Sequence, residues 1–216
     1  MSIAQKFITL SNRLTSNFRE NVYRSYPRLN FETIHVQNLV SLKDRMELLK
    51  HLPSNAVVAE IGVNEGDFSQ QILSVCTPQK LVLIDVWASK RYHGGLFENV
   101  KNRFATAIKN GTIEIIRDLS FGAIASCEDR FFDWVYLDTD HSYATTHREL
   151  ELLRLKMKPG GIIAGHDYII GNWNGGVRYG VIEAVREFCL KYNWEMIYLT
   201  HELDNHPSFA IREIQT

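Results

Sequence analysis

An α/β fold, in which helices cover both faces of a mostly parallel sheet, is predicted by two features of the sequence. From about residue 56 onward, short β-branched runs alternate with longer helical patterns, which is typical of βαβ units. Most of these runs are almost continuously apolar, as burial on both faces of a parallel sheet requires. Strands are therefore expected at 56–62, 80–86, 112–118, 131–138 and 161–167.

The end of the chain predicts a reversal of strand direction. The runs 194–200 and 208–214 are joined only by residues 201–207, which are too few for the crossover that a parallel connection needs. These two strands should form an antiparallel hairpin, so that one edge strand is reversed. Helices are expected between the strands, at 67–76, 95–109, 120–127, 143–157 and 177–191.

Residues 1–55 contain no comparable strand run and are interpreted as helical or irregular. The predicted organisation is an N-terminal helical extension or lid over 1–55 and a single α/β domain over 56–216. A length of 216 residues is enough for one such domain with a full core.

The composition indicates a globular protein with a small partner. Apolar residues make up 45% and charged residues 23%, and the 24 basic residues are interspersed with 25 acidic ones. Because no basic cluster stands out, nucleic acid is not expected as a partner. No long apolar run predicts a membrane span, and the three cysteines are expected to be buried free thiols, which favours a cytoplasmic location.

A glycine-rich turn follows the first predicted strand. Glu60, Gly62 and Gly66 lie between that strand and the helix that starts at Asp67. The glycines would let the backbone turn sharply and approach a ligand closely. The spacing is not the GxGxxG of dinucleotide binders, and Glu60 would repel a pyrophosphate. A sulfonium and ammonium ligand suits this turn better.

Further polar residues follow the next two strands. Asp85, about twenty residues beyond the turn, is placed to accept hydrogen bonds from the hydroxyls of a ribose. Asp118 or Ser120 would then meet an adenine. Each of these residues alone is equally well explained as a capping acid, but together at consecutive strand ends they indicate a cofactor site.

At this point the sequence resembles the class I S-adenosylmethionine-dependent methyltransferases. AEIGVNEGDFS (59–69) is similar to their first motif and LVLIDVW (81–87) to their second, and the resemblance covers roughly 55–214. It implies a doubly wound, seven-stranded, mostly parallel Rossmann-like sheet with a reversed last strand. The cofactor-binding residues that it implies are Glu60, Gly62, Gly66, Phe68, Ser69, Asp85, Val86, Trp87, Asp118, Ser120 and Asp138.

Two further motifs make the sequence most similar to the macrocin O-methyltransferase-like group, which acts on small molecules. They are DWVYLDTDHSY (133–143) and KPGGIIAGHDY (158–168). This similarity implies transfer of a methyl group to a hydroxyl of a sugar, a phenol or a natural-product intermediate.

A divalent cation is expected where these two motifs meet. Asp138, His166 and Asp167 follow adjacent strands, and two carboxylates and an imidazole can converge on one ion. Such an ion would orient acceptor oxygens and lower the pKa of an acceptor hydroxyl. In the similar metal-dependent enzymes the position of His166 is usually an acid. Magnesium is the first candidate, although the imidazole shifts preference toward manganese, iron or zinc.

Two residues are candidates for the general base. Asp140 matches the position proposed for that role in the similar enzymes, and the ordinary pKa of His141 lies near the working pH. The alternatives are that Asp140 caps the helix beginning near Tyr143 and that His141 makes a structural hydrogen bond.

Aromatic and basic residues in the following loops are candidates for contacting an acceptor. Ordinary loop packing explains them equally well. They are Trp87, Tyr92, His93, Trp173, Arg178 and Tyr179.

Two other functions fit the sequence less well. A catalytically inactive cofactor-binding protein would not need both candidate bases and the metal cluster. A nicotinamide-dependent oxidoreductase would be expected to carry GxGxxG or a Tyr followed four residues later by Lys, and this chain carries neither. The N-terminal segment weakly favours a homodimer.

Overall fold

The computed structural model describes residues 2–88, 95–172, 176–202 and 206–215, and an eight-stranded sheet runs through this part of the chain. The expectation of a mostly parallel sheet is confirmed. Its first six strands are β1 (Val40–Leu42), β2 (Val57–Ile61), β3 (Lys80–Asp85), β4 (Ile113–Arg117), β5 (Phe132–Leu137) and β6 (Met157–Gly165). The next two strands, β7 (Gly171–Asn172) and β8 (Val177–Arg178), form a small separate hairpin. Strands β9 (Trp194–Thr200) and β10 (Phe209–Glu213) complete the large sheet.

The strand order in the sheet is β1-β9-β10-β6-β5-β2-β3-β4, and β10 is antiparallel to both of its neighbours. The predicted hairpin of β9 and β10 is therefore confirmed. The reversed strand does not lie at an edge, as the sequence suggested. It lies between β6 and β9, where both of its sides form backbone hydrogen bonds.

The extra strand β1 pairs in parallel with β9 and forms one edge of the sheet. The sequence analysis expected no strand before residue 56, and this expectation was wrong. A strand of three residues carries almost no hydrophobic pattern, and it exists here because the exposed edge of β9 supplies its hydrogen-bonding partners.

Helices flank the sheet in the order that the sequence predicts. A short 3₁₀ turn, Thr33–His35, precedes β1. The α-helices are α1 (Ile3–Arg24), α2 (Arg45–His51), α3 (Asp67–Cys76), α4 (Leu96–Arg103), α5 (Ala105–Lys109), α6 (Ser120–Ser126), α7 (Tyr143–Lys156) and α8 (Val181–Tyr192).

Three boundaries differ from the predictions. The helix expected over 95–109 is divided at Phe104, which leaves helical geometry and buries its ring against Gly66. The helix expected from 177 begins at Val181, because 177–178 pair with β7. Strand β6 begins at Met157 rather than 161, and its irregular start accommodates Pro159, which lacks a backbone donor.

The buried side chains form two layers, one on each face of the sheet. Along the central strands, successive residues alternate between the layers, as the period of two in a strand requires. Val58, Leu83 and Trp134 belong to the layer that meets α2, α3 and α4, whereas Ala59 and Val135 belong to the layer that meets α6, α7 and α8.

The N-terminal residues divide into two parts. Helix α1 begins with a capping box formed by Ser2 and Gln5, and its apolar side chains, including Phe7 and Leu14, are exposed. Residues of β1 and α2 are instead part of the core, where Leu48 and Leu49 are completely buried. A role of 1–55 as a lid stays a prediction.

Two remaining expectations concern cysteines and membranes. Cys76 and Cys189 are buried free thiols as expected, whereas Cys127 is half-buried. Within the described ranges, no helix combines the length and the apolar character that crossing a bilayer requires.

Leu48→Ala is expected to lower the free energy of unfolding by about 2–5 kcal/mol, because it opens a cavity beneath the sheet. Leu14→Ala is the matched control, since the leucine side chain is exposed on α1, and it should change stability by less than about 0.5 kcal/mol. Denaturant titration of both variants measures the difference. Equal effects would show that residues 40–52 do not belong to the core.

Candidate active site

A cavity of about 810 Å³ lies at the carboxyl ends of the parallel strands, where ligands bind in open α/β sheets. Most of the predicted site residues line it. They are Glu60, Gly62, Phe68, Asp85, Val86, Asp118, Ser120, Asp138, Asp140, His141, His166 and Asp167. Three other predicted residues, Gly66, Ser69 and Trp87, are buried and are not among the residues that line it.

The glycine turn packs between the ends of β3 and β5. The Gly62 amide donates to the Ile84 carbonyl at 2.8 Å, and the Asp138 amide donates to the Ile61 carbonyl at 2.8 Å. Gly62 has a φ of +94°, and a Cβ there would overlap the Asp138 carbonyl oxygen. A side chain at position 62 is therefore excluded by both conformation and space.

Gly66 packs closely against the Phe104 ring. It precedes α3 with a φ of +80°, and a Cβ would collide with the Phe104 ring. Trp87 is likewise buried, where its indole donates to the Asn64 carbonyl at 2.9 Å and packs on Phe97. Both residues support the turn and the loop after β3, and their predicted contacts with the cofactor stay predictions.

Glu60 is buried at the end of β2 and accepts a hydrogen bond from the Ser69 hydroxyl. Burial, with the nearby charges of Asp138 and Asp85, raises the pKa of Glu60 to about 8, although Ser69 and Arg45 oppose this shift. The carboxyl group is therefore protonated at neutral pH in the protein alone. A cationic ligand placed beside it would favour the ionised form.

Asp85 holds the glycine turn in place. One carboxylate oxygen accepts the amides of Val63 at 2.8 Å and Asn64 at 2.9 Å, and the other accepts the Trp87 amide at 3.0 Å. These bonds join the end of β3 to the turn after β2. The predicted contact with a ribose stays a prediction.

Asp118 and Ser120 lie at the start of α6 on the same side of the cavity. Asp118 accepts the Leu119 amide at 2.7 Å. Ser120 lies beside Glu149, a buried carboxyl group that the sequence analysis missed and that also accepts the Thr139 hydroxyl at 3.0 Å. Burial raises the pKa of Glu149 to about 7, and the hydroxyls of Ser120 and Thr139 oppose this shift.

Carboxylates and imidazoles converge where β5 and β6 end. His141 Nε2 lies 2.8 Å from Asp167 Oδ2 and 3.8 Å from Asp138 Oδ1. His166 Nδ1 lies 3.7 Å from Asp138 Oδ2 and 3.6 Å from Asp167 Oδ2. The structure thus brings the predicted metal residues together and adds His141 to them. Ligand atoms of Asp138, His141 and Asp167 all lie within 4.8 Å of one another.

The protonation states within this cluster follow from the contacts. Burial would raise the pKa of Asp167, but the contact with His141 at 2.8 Å and the nearby His166 outweigh it and hold that pKa well below its usual range. Burial would lower the pKa of His166, but Asp167 and Asp138 outweigh it and raise that pKa. Burial raises the pKa of Asp138, against the opposing charges of the two histidines. Asp167 is therefore the carboxylate that stays ionised.

His206 completes the surroundings of Asp167 and was missed by the sequence analysis. Its Nδ1 contacts Asp167 Oδ1, the oxygen that faces away from His141, and its ring packs on Tyr179. The residue lies in the loop between β9 and β10, about forty residues from its partner. The local sequence carried no signal, because only the hairpin brings the loop back to the site.

Because Ser142 is the N-cap of α7, the capping alternative for Asp140 is wrong. Asp140 instead precedes the cap. Its carboxylate accepts the Ser142 amide at 2.9 Å and the Thr145 hydroxyl at 2.8 Å, at the start of α7. Among the predicted acceptor contacts, Tyr179 packs on His141, whereas Arg178 pairs with Glu183. Tyr92, His93 and Trp173 lie outside the described residues.

Glu60→Gln is expected to change how the free energy of unfolding depends on pH. The folded protein keeps the Glu60 proton up to about pH 8, whereas the unfolded chain loses it near the ordinary value of 4.5. The stabilising contribution of Glu60 is therefore fully present below about pH 4.5 and is lost as pH rises toward 8. Glutamine retains a hydrogen-bonding group without this loss, so the variant should gain stability relative to the native protein between about pH 5 and 8. Denaturant titrations across this range measure the gain, and a difference that is constant with pH would contradict the assignment.

Comparison with known proteins assigns the chain to a family. A sequence model of the family described as "Methyltransferase domain" matches residues 59–168, which include the glycine turn and the carboxylate–imidazole cluster. The curated protein sequences yield no match. Solved structures also share the fold at low identity.

A putative rRNA methylase from Clostridium thermocellum aligns with a TM-score of 0.59 and 15% identity over 82% of this chain and 99% of its own. A SAM-dependent methyltransferase from Aquifex aeolicus aligns with a TM-score of 0.58 and 14% identity, over 80% of this chain and 91% of its own. The tRNA methyltransferase TrmK from B. subtilis aligns with a TM-score of 0.57 and 14% identity, over 81% and 67%. The chain therefore belongs to the methyltransferase-domain family, and its fold is that of S-adenosylmethionine-dependent methyltransferases.

Proposed function

We propose that this protein is an S-adenosylmethionine-dependent O-methyltransferase that acts on a hydroxyl of a small molecule. The observation that carries the proposal is the pair of His141 and Asp167, which lies beside the glycine turn in the same cavity. An alcohol is a weak nucleophile, so its methylation needs a group that removes the hydroxyl proton. A paired imidazole provides such a group next to a cofactor turn.

The residues of the turn fit the proposed cofactor. The missing side chain at Gly62 lets the turn lie against the Asp138 carbonyl at the wall of the cavity, and Glu60 offers a carboxyl group for an ammonium. Asp85 holds the turn open through its three backbone hydrogen bonds. When bound, S-adenosylmethionine would supply an electrophilic methyl group on a positively charged sulfur, and the acidic lining favours that charge.

His141 is the better candidate for the general base. Its Nε2–H donates to Asp167 Oδ2 at 2.8 Å, which leaves the Nδ1 lone pair to accept a proton. Asp167 stays ionised and would stabilise the imidazolium once His141 is protonated. Asp140 has both carboxylate oxygens engaged with the start of α7 and is the weaker candidate.

A divalent cation held by Asp138, His166 and Asp167 is part of the proposal. His166 Nδ1 lies 3.7 Å from Asp138 Oδ2 and 3.6 Å from Asp167 Oδ2, which suits neighbouring ligands of one ion at bond lengths of about 2.0–2.2 Å. Magnesium or manganese would orient the acceptor oxygens, and the imidazole favours manganese. His206, on the far oxygen of Asp167, would fix the direction of that ligand.

A small acceptor suits the cavity better than RNA does, although two of the similar structures are described as RNA methylases. Eight acidic residues line the cavity, against one arginine and no lysine among the described residues: Glu60, Glu65, Asp67, Asp85, Asp118, Asp138, Asp140 and Asp167. A phosphate backbone would be repelled by this lining. The net charge of −1 also favours a small acceptor over RNA.

Calorimetric titration should show binding of S-adenosylmethionine and no binding of NADH. Asp85→Ala should weaken that binding by about tenfold or more, because the turn loses the acceptor of three amides. Glu98→Ala, an exposed change outside the cavity, should leave the affinity unchanged. Binding of NADH alone would refute the proposed function.

Manganese binding should depend on Asp138. Asp138→Asn is expected to weaken calorimetric binding of Mn²⁺ by about tenfold or more, since one anionic ligand is lost. Asp118→Asn, on the opposite side of the cavity, serves as the control and should bind normally. His141→Asn should also retain Mn²⁺, and a loss equal to that of Asp138→Asn would make His141 a ligand rather than the base.

A further inference from the structure

Arg45 is a cavity residue to which the sequence analysis gave no role. It is the first residue of α2, in the N-terminal part of the chain, and it is the one arginine or lysine among the described residues that line the cavity. Because carboxylates dominate the lining, the Arg45 guanidinium is the position where a negatively charged group of a ligand would be stabilised.

The guanidinium is held in position without an ionic partner. It lies over the Phe68 ring, 4.8 Å from the centroid, and Phe68 packs in turn on Tyr136 at 4.4 Å. Within the described part of the chain, no carboxylate lies within 4.0 Å of the Arg45 guanidinium, and it makes no hydrogen bond. Its five donors are therefore available to a planar anion.

Arg45 lies at the end of the cavity that is opposite the predicted nucleoside contacts. Asp85 and Asp118 follow β3 and β4, at one side of the glycine turn. Phe68 and Tyr136, which position Arg45, lie on the β5 side. Arg45 lines the cavity together with Glu60 and Asp138, and its charge opposes the rise in the pKa of both carboxyl groups.

We propose that Arg45 binds the α-carboxylate of S-adenosylmethionine and makes the site select sulfonium donors that carry this carboxylate. A cofactor with its ribose toward Asp85 directs its amino-acid end toward β5, where Glu60 meets the ammonium and Arg45 the carboxylate. The inference rests on the proposed function, because it requires that the cavity bind this cofactor. It also means that the N-terminal part of the chain contributes a ligand-binding residue to the site, from the first turn of α2.

The electrostatics of the cavity make this proposal testable with one analogue. Decarboxylated S-adenosylmethionine lacks the carboxylate and carries one more net positive charge than the intact cofactor. The acidic lining alone would therefore favour the decarboxylated form. A preference for the intact cofactor requires a positive group that contacts the carboxylate, and Arg45 is placed to be that group.

Isothermal titration of both compounds into the native protein and Arg45→Gln tests the proposal. The native protein should bind the intact cofactor about tenfold or more tightly than the decarboxylated one. Arg45→Gln should lose about tenfold or more in affinity for the intact cofactor and change little for the decarboxylated form. Arg45→Lys should keep part of the preference, because it retains the charge but not the planar fork.

Arg154→Gln is the matched control, since Arg154 also stacks on a ring, that of Tyr192, but lies outside the cavity. It should bind both compounds as the native protein does, and thermal unfolding checks that every variant is folded. Equal losses for both compounds in Arg45→Gln, or no loss for either, would overturn the role of Arg45 while leaving the cofactor assignment intact. Failure of the native protein to bind either compound would overturn the proposed function itself.

Discussion

The close approach of the Gly62 backbone to the end of β5 is the contact on which the rest of the site depends. It allows the turn after β2 to lie against Asp138, so that the cofactor turn and the carboxylate–imidazole cluster share one wall. Backbone hydrogen bonds from Gly62 to Ile84 and from Asp138 to Ile61 join three strand ends at this point. A displacement of the turn would therefore displace the first residue of the cluster as well.

Surroundings, rather than residue type, decide the charge of each carboxyl group in the cavity. Glu60 is buried with one hydroxyl as its hydrogen-bonding partner, so it stays protonated near neutral pH. Asp167 is surrounded by three imidazoles, so it stays ionised. The two groups are suited to different tasks. Glu60 can respond to an incoming cation, and Asp167 can hold a histidine or a metal ion in a fixed orientation.

The central strands were predictable because their signal is local. Residues of β2, β3 and β5 are apolar on both faces, and each strand ends at a turn residue or an acid. Strand β1 could not be predicted, because it is stabilised by pairing with β9 rather than by its own pattern. The division of the predicted helix at Phe104 could not be predicted either, because it depends on the space beside Gly66.

The same distinction applies to the site. The sequence by itself determined which acids follow the parallel strands, and because such strands end at one edge of a sheet, this was enough to bring Asp85, Asp138 and Asp167 to one cavity. Only the tertiary structure decided that Asp140 accepts hydrogen bonds from Ser142 and Thr145, that His206 contacts Asp167, and that Arg45 reaches the cavity from α2. Two of these contacts bring together residues that are far apart in the chain, and the third depends on which nearby groups donate to a carboxylate. Neither kind of contact leaves a periodic pattern in the sequence.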